Sequence, residues 1–260
     1  MILSVQNLSK TYLDSNGVKR VVLEDVNFEV AINESENKIV SLLAPLGAGK
    51  TTLFKSIAGL INHEGIVTLE EKVVTESNGE IIYIPENCFA YPWLDVKENI
   101  ELAHNLKLKN DGDVIYPIKE IIELVGLTGY ENYFTSLKKS GFNVRVAIGR
   151  ALKVNPKFIL LDDVFKNLDG ETRLELVDTF KKMTASTKAA FLVATTNISD
   201  AILISQTIIL MRKNPGKIIK EIKVPSLDKD KDSEIITKIK NEIEMELKSQ
   251  NMLNSVLISL

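Results

Sequence analysis

The chain has 260 residues, 45% hydrophobic and 26% charged, with 7 prolines; this length holds one large α/β domain or two smaller ones, and the composition excludes disordered, collagenous and disulfide-scaffold classes. Its 32 lysines and arginines nearly balance 35 aspartates and glutamates, a net charge of -3 that gives no general footprint for nucleic acid or an anionic membrane, so any anion site must be local. Cys88 stands alone, the start MILSVQNLSK lacks a signal-peptide pattern, and the longest apolar runs fall far short of the ~20 residues that span a bilayer. A cytosolic chain that reaches the membrane only through a partner is expected.

Along the chain, strands are expected at Ile2 to Leu8, Val21 to Val30, Ile39 to Leu43, Ile66 to Leu69 and Ile81 to Ile84, with a turn at Asn16-Gly17. From Val96 to Ala151 the apolar residues recur at helical spacing, as in Ile118, Ile121, Ile122 and in Val144, Ala147, Ile148, Ala151. Buried-strand runs then return at Phe158 to Leu161, Ala190 to Ala194 and Ile208 to Met211, separated by a helical stretch at Leu174 to Met183, the mark of a parallel sheet. Ser226 to Ser233 is charged and apolar-poor, and Ile235 to Leu247 regains helical periodicity, which reads as a linker and an accessory helix.

Strand Ile39 to Leu43 runs into Ala44-Pro45-Leu46-Gly47-Ala48-Gly49-Lys50-Thr51-Thr52, and a helix continues to Gly59. A glycine loop between strand and helix can turn backbone N–H groups around phosphate oxygens, and the helix adds the positive end of its dipole. Lys50 would reach the β- and γ-phosphates, and Thr51 would offer its hydroxyl to Mg²⁺. The strict phosphate-loop pattern starts with glycine; Ala44 is acceptable there only at negative φ. A second strand, Phe158 to Leu161, ends at Asp162, as a neighbouring strand carrying a metal-facing carboxylate should. Taken singly, each segment also suits an ordinary turn.

In this order the pieces resemble the ATP-binding subunit of ABC transporters, over nearly the whole length to about Val224. The resemblance is carried by Val22-Leu23-Glu24-Asp25-Val26-Asn27-Phe28, by Arg145-Val146-Ala147-Ile148-Gly149-Arg150-Ala151-Leu152 after the family's signature loop, and by Pro92-Trp93-Leu94 with Val96 and Asn99. That last cue is similar to importers of nitrate, sulfonate and taurine. The resemblance implies a P-loop NTPase of ABC type, an α/β fold with a mixed core sheet, an N-terminal antiparallel β portion and a helical subdomain insert at about 88-154. Residues 1-224 would form the nucleotide-binding domain and 225-260 the linker and accessory helix. It further implies ATP and Mg²⁺ as cofactors, Tyr12 stacked on adenine, and phosphate contacts from Leu46, Gly47, Ala48, Gly49, Lys50, Thr51 and Thr52. A transmembrane permease and a second ATPase subunit would be partners, a heterodimer being favoured over a homodimer, on the inner face of the cell membrane.

The departures fall on catalytic positions. Where the family has its catalytic glutamate, glutamine and switch histidine, this chain has Asp163, Glu86 and Thr196, with Glu86 a potential metal ligand beside Thr51 and Asp162. The leucine-serine-glycine-glycine signature aligns with Lys138 to Phe142, so Lys139, Ser140 and Gly141 would face the partner's nucleotide. An energy-coupling importer subunit with impaired hydrolysis is therefore expected. Its alternative is a structural or regulatory nucleotide-binding chain paired with an intact ATPase. A phosphate-loop kinase or other NTPase would leave Arg145 to Leu152 and Pro92-Trp93-Leu94 without explanation.

Overall fold

The computed structural model describes residues 1–32, 38–105, 116–135, 140–225, 232–250 and 256. Two compact units emerge, Met1–Glu76 with Leu192–Leu260, and Ser77–Phe191.

In the first unit, β1 (Ile2–Leu13) and β2 (Lys19–Ala31) form an antiparallel hairpin, and β4 (Glu64–Leu69) and β5 (Lys72–Val73) extend it in the order β2-β1-β4-β5. The Asn16-Gly17 turn is present: Gly17 has φ 77 and Asp14 Oδ1 accepts from the amides of Asn16 and Val18 at 2.9 and 2.8 Å. β1 runs five residues past the expected end at Leu8. Bulges near Asn7 (φ 52) and Asp25 (φ 47) break the two-residue alternation, while pairing of Lys10, Thr11 and Tyr12 with Leu23, Val21 and Arg20 keeps the strand going.

β3 (Ile39–Leu43) is buried at every residue and pairs in parallel with β9 (Thr207–Arg212), which pairs antiparallel with β10 (Lys217–Lys223). Sequence periodicity gave no strand at β10, because only Ile222 and not a full face is buried along this lysine-bearing outer strand. α1 (Lys50–Ile57) follows β3, and α6 (Ile198–Ile204), also unanticipated, is capped by Asn197. α7 (Ser233–Ser249) matches the accessory helix. Its Ile239, Ile243 and Leu247 are buried among Ile198, Ile202, Ile208, Leu210 and Ile222, and Lys220 binds Glu242 at 2.9 Å.

In the second unit, β6 (Ile81–Ile84) and β7 (Phe158–Asp162) are parallel neighbours, with Ile81 opposite Phe158 and Ile84 opposite Leu161. β8 (Ala190–Thr195) begins here, its Ala190 amide donating to Lys157 at 2.9 Å, and ends in the first unit. The helical stretch resolves into α2 (Val96–Asn105), α3 (Ile118–Leu124) and α4 (Ser140–Leu152), and α5 (Gly170–Ser186) follows β7. Asp95 and Glu98 open α2 by reciprocal side-chain to amide bonds of 2.7 and 3.0 Å. Gly149 lets α4 approach α2 closely, since a Cβ there would lie 2.9 Å from Ile100 Cδ1. Phe180 packs edge-on against Phe191 at 5.3 Å, centring the hydrophobic interior beneath α5.

Candidate nucleotide site

The loop between β3 and α1 is built by backbone rather than side chains. Gly47 (φ 78) and Gly49 (φ 96) take left-handed conformations that strain any other residue. Among the described residues, the non-glycine positions with positive φ are Asn7, Asp25, Glu70, Glu71, Asn155, Asp163 and Asn214. Ala44 is not one of them, so its Cβ fits where the strict pattern has glycine. The loop is backed closely: a Cβ on Gly49 would meet Leu23 Cδ2 at 2.9 Å, and one on Gly216 would meet the Ala48 carbonyl at 2.3 Å. Gly216 is held in place by its amide bond to Val22 O (2.8 Å) and by the Glu24 amide donating to its carbonyl (3.0 Å).

Lys50 is 5% exposed, and its ammonium reaches back to the carbonyls of Ala44 (3.3 Å) and Pro45 (3.5 Å). Its charge is thus held inside the curve of the loop. Leu46, Gly47 and Thr51 face outward and Thr52 is half-buried. Gly49 has no side chain with which to cap α1, leaving that helix start shaped for an external anion. Tyr12 stands exposed on the hairpin opposite Arg20, with Lys10 Nζ 5.0 Å from its ring centre.

In the second unit, β7 delivers Asp162 at 2% exposure, where its Oδ2 accepts from the Tyr83 hydroxyl at 2.9 Å. Burial first, then the Asp162 charge, push the Tyr83 phenol far above its ordinary range, so it stays a donor and fixes that carboxylate. Asp163, 8% exposed, follows at φ 50, a region that aspartate enters more readily than longer side chains. Its carbonyl accepts from the Lys166 amide at 3.1 Å, and Lys166 Nζ binds Glu86 Oε1 at 2.7 Å. The Glu86 bond, followed by the charges of Glu86, Asp163 and Asp162, raises the Lys166 pKa above the ordinary lysine value.

Among the described residues no three His, Cys, Asp or Glu side chains converge as a metal cage. Magnesium needs none: it takes one or two hard oxygen donors from protein and fills its octahedron with phosphates and water. The fixed Asp162 carboxylate and the exposed Thr51 hydroxyl are donors of that kind. Such an ion would supply charge neutralisation at the phosphates.

The family described as "ABC transporter" matches residues 23–166. An aliphatic sulfonates import ATP-binding protein, SsuB, of Bacillus cereus is 35% identical over 246 residues, covering 94% of each chain. The chain belongs to the ABC transporter family. The taurine import ATP-binding protein TauB of a Jannaschia species is 27% identical, covering 90% of this chain and 86% of its own. A solved "Dimeric structure of a post-hydrolysis state of the ATP-binding cassette MJ0796 bound to ADP and Pi" superposes with a TM-score of 0.70 at 26% identity, over 86% of this chain and all of that one. The fold expectation holds: the chain is an ABC ATPase cassette, with an antiparallel sheet, a parallel sheet and helices. A purely structural or regulatory role gains no support from these relatives.

The remaining ABC positions divide by unit. Thr196 is 7% exposed at the end of β8. The neighbouring Asn197 caps α6, its Oδ1 accepting from the amides of Ser199 (2.8 Å) and Asp200 (3.3 Å). Of the signature segment, Lys138 and Lys139 and the Ser140 side chain lie outside the described residues. Gly141 lies so near α5 that a Cβ would sit 2.3 Å from Thr172 Cγ2. The octapeptide after it is structural: Arg145 binds Val125 O (2.9 Å) and Thr179 Oγ1 (2.7 Å), and Arg150 binds Asn99 Oδ1 (2.8 Å).

Asn99, fully buried, ties down the aromatic loop before α2. Its Nδ2 donates to the carbonyls of Tyr91, Leu94 and Asp95, and its Oδ1 accepts from the Tyr91 amide at 2.8 Å. Phe89 and Trp93 are left 68% exposed, and Phe89 borders a cavity of about 260 Å³ lined also by Ile82, Pro85, Cys88, Ala103 and Ala147. Burial pushes the Cys88 thiol up to about 11. Sequence reasoning missed Tyr83, Lys166 and Gly216. Asn214-Pro215-Gly216 carries a turn signal, but no spacing in the sequence marks the other two.

Proposed function

We propose that the chain is the ATP-binding subunit of an importer, coupling ATP binding and hydrolysis to solute uptake through a separate membrane permease. The observation that carries this reading is the match across 94% of a sulfonate-import ATP-binding protein, on a chain that keeps the glycine loop, Lys50, Thr51 and Asp162. In this reading Leu46 to Thr52 cradle the phosphates, Tyr12 stacks on adenine, and Thr51 and Asp162 hold Mg²⁺. Exposed Phe89 and Trp93, with the half-buried Tyr91 packed on Trp93, present the permease contact, because clustered exposed aromatics favour an interface. No described helix is long and apolar enough to cross a membrane, so the permease supplies the attachment at the cytoplasmic face.

Hydrolysis is slow in this assignment. Asp163 is one methylene shorter than glutamate, and a misplacement of ~1 Å can cost 10²-fold. Thr196 lacks the histidine's donor, a loss of roughly 10² to 10³-fold. Because such losses overlap when residues act as a unit, the combined deficit is about 10² to 10⁵-fold. Ground-state binding rests on groups that remain and is spared. A heterodimer follows, in which a second ATPase subunit with intact motifs supplies the faster site. Steady-state phosphate release decides the matter: a low rate from the purified chain and a higher one after mixing with such a subunit are expected, and a full rate from this chain alone would contradict slow hydrolysis.

A further inference from the structure

Two loops leave the same ends of two parallel neighbours, β6 and β7, and one ion pair joins them. Glu86 lies two residues beyond β6, and Lys166 lies in the tight turn that also presents Asp163. Their 2.7 Å contact is half-exposed, at 38% and 35% of the side chains, so it adds little to folding stability. Its placement is the informative feature. Tyr83, on β6 just before the first of these loops, donates to Asp162 while also feeling the charge of Glu86. The carboxylates of Glu86, Asp162 and Asp163 therefore lie near enough to Lys166 for all three to raise its basicity.

We propose that Lys166 is a positioning residue that neutralises Glu86 and holds the loop after β6 against the β7 turn, so that a carboxylate at position 86 does not repel the nucleotide. The proposal rests on the reading of Asp162 as the magnesium-side residue. With Lys166 engaged, Glu86 acts as half of a neutral pair and not as a metal ligand. Removing only the lysine frees a negative charge beside two others; removing both members restores neutrality.

The test is binding of a fluorescent ATP analogue to the wild-type chain and to Lys166→Met, Lys166→Arg, Glu86→Gln and the double variant Glu86→Gln with Lys166→Met, each with Mg²⁺ and with EDTA. Lys166→Met is expected to weaken binding about 3- to 10-fold, more in EDTA, where the nucleotide carries more negative charge. The double variant should return to within about 2-fold of wild type, and Lys166→Arg should bind as wild type. Thermal unfolding should be nearly unchanged throughout, which separates positioning from a structural role. Unchanged affinity in Lys166→Met, or a double variant as weak as Lys166→Met, would overturn the proposal. Absence of binding by the wild-type chain would instead overturn the functional reading beneath it.

Discussion

In the proposed assignment the catalytic base is Asp163, a short side chain at φ 50. A glutamate there must accept the same left-handed backbone, at a cost on the order of 1 kcal/mol, but regains the reach that the base needs. Thr196, in turn, is buried at the place of a histidine. Asp163→Glu combined with Thr196→His should raise turnover at least ~10-fold with little change in nucleotide affinity. Unchanged turnover with intact binding would place the limitation in the signature segment. Cys88 gives a second residue-level expectation. Burial favours its thiol over its thiolate and lifts its pKa to about 11, so near pH 8 it should react with iodoacetamide more than ~10-fold slower than a free cysteine. The same shift means that the folded chain holds this proton more tightly than the unfolded one. Its contribution to stability is present below the ordinary thiol pKa and is lost as pH rises toward 11.

At the scale of elements, the phosphate loop depends on a neighbour far away in sequence. A methyl group at Gly216 would press on the Ala48 carbonyl, and overpacking of this kind costs roughly 1–3 kcal/mol. Gly216→Ala should lower ATP affinity about 10-fold while the far-ultraviolet circular dichroism remains that of the folded chain. The aromatic loop depends on Asn99. Truncating it to alanine removes the acceptor of the Tyr91 amide and the donor shared by the carbonyls of Tyr91, Leu94 and Asp95, which should cost about 2 kcal/mol and lower Tm by roughly 4–8 °C. β3 and β6 were legible in the sequence to the residue, because their short, mainly apolar runs bounded by turn residues are too short for a helix. β1 was read short, since bulges at Asn7 and Asp25 carry it through a break in alternation. The phosphate loop could be read because its chemistry is contiguous, from Ala44 to Thr52. Lys166 could not: its role arises from a bond to Glu86, eighty positions away, and only the pairing of β6 with β7 makes that bond. Tyr83 was hidden for the same reason.

For the whole molecule, the proposed slow hydrolysis entails a division of labour between two ATPase subunits. A symmetric pair of this chain would combine Asp163 and Thr196 with a signature carrying Lys139 at both sites. In the proposed reading, pairing with an intact subunit would join that subunit's catalytic glutamate to this chain's signature segment, where the charge of Lys139 would serve the γ-phosphate. In the reconstituted pair, neutralising the partner's glutamate should abolish most ATPase activity and neutralising Asp163 should remove little; the reverse order would contradict the assignment. All of this presupposes that the glycine loop holds nucleotide. Calorimetric titration of the folded wild-type chain and of Lys50→Ala with MgATP tests that claim most directly. The account predicts saturable binding by the wild type that Lys50→Ala removes; no heat from the wild type, or equal binding by Lys50→Ala, would contradict it.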